Sequence, residues 1–155
     1  MKRCSVLLCS IILGIFSAGA LAALEPGAPL VANRTGLVLD GYDMVSYFDG
    51  KGKKGSPEFS SEYRDATWYF VSAENKAKFD AAPEKFMPEF GGYCVYAVSK
   101  NKKAKGAGKY GSLVNGKLYF NVAFFVQKRY LLNPKHYNSK AEENWPGVKQ
   151  TIQAK

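Results

Sequence analysis

The segment SLVNGKLYFN, residues 112–121, constrains the fold most, because Asn115-Gly116 sits between two runs rich in aliphatic and aromatic residues. A tight type I′ turn needs positive φ at both central positions, and Asn-Gly supplies it at little cost, so the segment predicts a β-hairpin. A second hairpin is expected in EFSSEYRDATWYFVS, residues 58–72, around Arg64-Asp65-Ala66. LVLDGYDMVSYF, residues 37–48, predicts short strands about Asp40-Gly41, and DGKGKKGSP, residues 49–57, a glycine and lysine loop.

Helices are signalled by caps and proline stops. Ser72 is placed to cap AENKAKFDAAP, Glu74 favours the positive helix end, and Phe79 faces the core. Pro83 ends that helix and begins a short PEKFM turn, which Pro88 ends. GGYCVYAVSK, residues 91–100, fits both periods and is assigned to a helix, whose glycines serve as a turn. A helix is expected from Val122 to Leu132, apolar at Phe124, Phe125, Tyr130 and Leu131, and a last one from the Asn133 cap toward Trp145, ended by Pro146. Hairpins packed with several short helices make a small single α+β domain.

The chain opens with Met1, Lys2 and Arg3, continues through a long apolar run and reaches Ala20-Leu21-Ala22, an A-x-A site. This is the pattern of a secretory signal peptide over residues 1–23, so the protein is expected to be exported, periplasmic or secreted. An extended lead-in over residues 24–36, a domain over 37–147 and a C-terminal tail over 148–155 complete the division. Loss of the leader removes Cys4 and Cys9 and leaves Cys94 alone, without an intramolecular disulfide.

The chain carries 22 basic against 13 acidic residues. An exported protein rarely meets nucleic acid, and none is expected as a partner. Lys100, Lys102, Lys103 and Lys105, with Lys109, form a basic flexible loop that suits an anionic membrane surface or an acidic protein. Phosphate-cradling glycine motifs, HExxH segments and CxxC pairs are absent from the sequence.

GYDMVSYF (41–48), WYFVSAENKAKFDAAPEKFMPEFGGYC (68–94), NGKLYFN (115–121) and ENWP (143–146) together resemble the YHS-domain family, in its longer, exported bacterial branch. The family's usual pattern there is a GYD-V-YF opening, a GGYCA core segment, a DGKLYLN hairpin and a closing NWP. Short YHS domains, found in copper-transporting ATPases and multicomponent oxygenases, look like metal-binding modules with soft ligands in an FCS-x-x-C arrangement. Val71 and Asn75 stand where those cysteines would be, so that metal site does not carry over.

The role of Cys94 is open on the residues alone. Cys94, Met87, Met44 and His136 offer thiolate, thioether and imidazole ligands to copper or another soft metal. Cysteine is also among the most buried residue types, and a packed, inert Cys94 is the competing expectation. The chain order Cys94, His136, Asn144 matches that of Cys-His hydrolases, but order alone is weak support. An intermolecular disulfide is the remaining use for a lone exported thiol. Tyr42, Tyr47, Tyr63, Trp68, Tyr69, Tyr93, Tyr96 and Tyr119 suit an aromatic small-ligand pocket or, equally, cross-strand pairs, and Asp40 and Asp43 suit turn capping. The expectation is therefore a non-catalytic accessory module binding a soft metal or a small ligand. The alternative is a structural or protein-interaction module with a basic surface and a buried Cys94.

Overall fold

The structure, a computed structural model, describes residues 30–153; the signal peptide read over residues 1–23 and the first part of the lead-in fall outside them. Among the described residues, three antiparallel hairpins pack with four α-helices in an α+β arrangement. The strands are β1 (Tyr42–Asp43) with β2 (Lys53–Lys54), β3 (Ser56–Tyr63) with β4 (Ala66–Phe70), and β5 (Gly111–Val114) with β6 (Lys117–Phe120). Arg64 and Asp65 have φ of 53° and 56°, and Asn115 and Gly116 of 50° and 76°, so both tight turns have the positive φ that a type I′ turn needs.

Residues 37–48 differ from the expected strands. Only Tyr42 and Asp43 form a strand ladder; Leu37 and Val38 make single bridges to Thr67 and Ala32, while Leu39–Gly41 and Val45–Tyr47 wind into 3-10 turns. The cause is local: the Asp43 carboxylate takes the Val45 and Ser46 N–H groups, which are then unavailable to a strand ladder. The lead-in joins the core before Leu37, because Val31 is buried and exchanges main-chain bonds with Gly91 and Leu39.

The helices are α1 (Ala73–Ala81), α2 (Val95–Val98), α3 (Phe124–Leu131) and α4 (Pro134–Gln153). Ser72 Oγ accepts the Asn75 N–H and caps α1 as expected. Phe79 of α1 is buried among the rings of Trp68, Phe70, Tyr63 and Phe86, with centroids 5.0–6.4 Å away. A second aromatic group joins Phe90, Tyr93, Tyr119, Tyr130 and Trp145.

One helix expectation needs correction. Pro146 does not end α4: it is exposed, so the carbonyl it deprives of a partner can face water, and Val148 and Ile152 beyond it pack against the core. In α3, of the four apolar residues named from the sequence, Tyr130 is buried while Phe124, Phe125 and Leu131 are exposed. No helix of the described residues is long and apolar enough to cross a membrane.

The basic loop is tied down rather than flexible. Ala104 O accepts the Cys94 N–H, Gly106 N–H donates to Gly92 O, and Ala107 N–H donates to Asn121 O, at 2.9–3.1 Å. A side chain at Gly106 would put its Cβ 2.3 Å from Gly92 O and 2.6 Å from Phe120 Cβ, so only glycine lets the loop thread between these segments.

Candidate functional site

Asp43 is wholly buried, and its carboxylate accepts four neutral N–H donors. Oδ1 takes Val45 N–H at 2.8 Å and Ser46 N–H at 3.1 Å; Oδ2 takes Val71 N–H at 3.0 Å and Asn75 Nδ2 at 2.7 Å. The start of α1 also places the positive end of the helix beside this carboxylate. The two positions that the resemblance aligns with cysteines, Val71 and Asn75, thus both spend a donor on Asp43. Asp40, its sequence neighbour, is exposed at a φ of 57° and serves the turn alone.

Cys94 sits at the N-cap of α2, behind a turn in which Phe90, Gly91 and Gly92 all have positive φ. Its exposure is 0%, and Sγ lies 3.8 Å from Asn121 Oδ1. Burial pushes the thiol pKa up, against a smaller opposing pull from main-chain N–H groups of Ala97, Val122 and Tyr96. In the folded state the thiol is shielded from solvent and its thiolate form is disfavoured.

The other candidate ligands are carried on different elements. Met44 is packed in the core between β1 and the following 3-10 turn, and Met87 is buried just before the Phe90 turn. His136 is exposed in the first turn of α4, with its ring against Tyr137, and Asn144 Nδ2 donates to Val98 O at the end of α2. Among the described residues no three of His, Cys, Asp and Glu are grouped to hold a metal ion.

The structure does form a cleft of about 630 Å³ between the Tyr42–Gly52 segment and the β5 end of the last hairpin. Tyr42, Tyr47 and Phe48 make its aromatic walls, Lys51 and Lys109 its charged ones, and Gln127 closes one side. Tyr47 forms the floor, because Gly52 and Gly111 lack the Cβ atoms that would collide with its ring at 2.0 and 2.5 Å. The Tyr47 hydroxyl donates to Gly108 O, and burial, followed by Tyr42 and Asp43, raises its pKa. Gln127 Nε2 donates to Gly111 O and Ser112 Oγ, each at 2.9 Å, which fixes α3 against β5.

Neither lysine of the cleft is in an ion pair among the described residues, and the lining holds no carboxylate. The ring faces can stack the apolar plane of a ligand, while Lys51 and Lys109, the latter with its Nζ 6.0 Å from the Tyr110 ring, offer positive charge to an anionic substituent. Sequence inspection names Tyr42 and Tyr47 among the pocket aromatics and Lys109 in the basic loop, but gives no sign that Lys51, Lys109 and Gln127 line one cleft. Each looks like an ordinary surface residue until the glycine contacts bring the two segments together. Neither a family model, a curated protein nor a solved structure matches this chain.

Proposed function

We propose that this chain is an exported, non-catalytic binding module of the YHS type, and that it takes a small anionic, aromatic ligand in the Tyr47 cleft. The observation that carries this is the pairing of aromatic walls with Lys51 and Lys109 in a cleft of about 630 Å³, within the size range of small-molecule sites. Soft-metal binding, the other half of the sequence expectation, is the less supported reading, because Cys94 is fully buried whereas His136 is exposed on α4.

Amide chemical-shift mapping tests the proposal, with benzoate as the probe anion. Saturable shifts confined to the cleft, at Gly50, Gly52, Lys109 and Gly111, support it. Shifts that never saturate, or that centre elsewhere, overturn it.

One observation favours a second reading, a protein-interaction module with a basic surface and an inert Cys94. Lys102 points no charged group at an acid in the described structure, and Lys100 lies 5.9 Å from the Tyr96 and Tyr137 rings, so both present charge on one exposed loop. In that reading Lys103 and Lys105 play a smaller part, because their ammonium groups already bond Thr151 O and Ala32 O.

A further inference from the structure

The outward side of α3 is apolar at its two ends and cationic between them. Phe125 and Leu132 are 81% and 82% exposed, and Phe124 and Val122 are also exposed. Phe125, Lys128, Arg129 and Leu132 fall at i, i+3, i+4 and i+7, which is one face of a helix, and Leu132 keeps helical φ and ψ at the C-cap. Lys128 Nζ lies 5.4 Å from the Phe124 ring, so its stem covers apolar surface while its charge stays outside. Lys135 continues the charge into α4.

The wider setting has a single sign. From Phe90 to Ala141 the sequence holds ten Lys and Arg residues and no Asp or Glu. We propose that this face of α3 seats on an anionic lipid surface, with Phe125 and Leu132 entering the headgroup boundary and Lys128, Arg129 and Lys135 pairing with lipid phosphates. The proposal is independent of any ligand in the cleft.

The geometry favours lipid over a protein partner. Phe125 and Leu132 are exposed beyond four-fifths, free to enter a headgroup boundary, while Lys128 and Arg129 beside them can reach lipid phosphates. Protein interfaces are depleted in lysine, whereas here lysine flanks every exposed apolar residue of the helix. Residues 90–141 carry no carboxylate, and although Glu89 and Glu142 bound the stretch, its ten cations leave the charge strongly positive and attracted to an anionic leaflet.

Flotation with vesicles of phosphatidylcholine and phosphatidylglycerol, against phosphatidylcholine alone, tests the proposal on wild type and on the double variant Phe125→Ser, Leu132→Ser. Both side chains are solvent-exposed, so the variant should keep its fold, which circular dichroism checks. Wild type is expected to bind the anionic vesicles, to be released by salt, and to lose about tenfold or more in affinity in the double variant.

A second variant, Phe125→Trp, reports from the face itself whatever residues 1–23 contribute to binding. Its added emission, taken against the buried Trp68 and half-buried Trp145 of wild type, is expected to be quenched by brominated lipid. Equal binding by wild type and the double variant, or no quenching at position 125 in vesicle-bound protein, overturns the proposal. So does vesicle-free self-association of wild type that the double variant abolishes, since a second copy then covers the face.

Discussion

Asn75 Nδ2 donates a 2.7 Å hydrogen bond to Asp43 Oδ2, across 32 residues of sequence and between two side chains that are both buried. With Val71 N–H on the same oxygen, this bond fastens the start of α1 to the β1 turn. Removing the carboxylate leaves four buried or half-buried donors without their acceptor. Asp43→Ala is therefore expected to cost about 3 kcal/mol or more, and Asn75→Ala, which removes one donor, about 1–2 kcal/mol. Urea unfolding of the two variants checks the order; equal, small losses would mean that the carboxylate does not organise this region.

Cys94 is expected to be inert while the protein is folded. Its thiol is fully buried and its pKa is raised by burial, so both access and thiolate fraction are low. Maleimide labelling followed by peptide mass mapping should find Cys94 unmodified in buffer and modified in urea. In a chromogenic competition assay for Cu(I), wild type and Cys94→Ser should behave alike. Rapid native labelling, or tight copper binding lost in the variant, would restore the soft-metal reading.

The buried tyrosines set an alkaline limit on stability. Burial is the largest cause that raises the phenol pKa of Tyr47, Tyr119, Tyr130 and Tyr93 above the ordinary 10.0. Their folded pKa values exceed the unfolded ones, so the stabilisation is fully present below about pH 10 and is lost as pH rises through and beyond it. Ultraviolet titration should show these phenols ionising late and together with the loss of far-ultraviolet circular dichroism. Ionisation of all ten tyrosines of the chain near pH 10 without unfolding would contradict the burial assigned to them.

What was legible in the sequence was local. Asn115-Gly116 and the Ser72 cap act within a few residues, and both formed as their chemistry requires. Asp43 was legible only as a turn residue, because two of its four donors come from 28 and 32 residues away. Pro146 reads as a stop because its cost is local, whereas the burial of Val148 that carries α4 past it is tertiary. The sequence marks Phe124, Phe125, Tyr130 and Leu131 as apolar, but composition alone does not say which side of a helix meets the core, and here Tyr130 does. The cleft was half legible, since aromatic residues announce themselves and the lysines that complete it do not.

Calorimetric titration with benzoate tests most directly the claim that binding belongs to the Tyr47 cleft and not to Cys94. Wild type and Cys94→Ser are expected to show the same one-site binding, and Lys51→Ala with Lys109→Ala to weaken it by about tenfold or more. No binding by wild type, or an affinity untouched by removal of both lysines, would contradict the account.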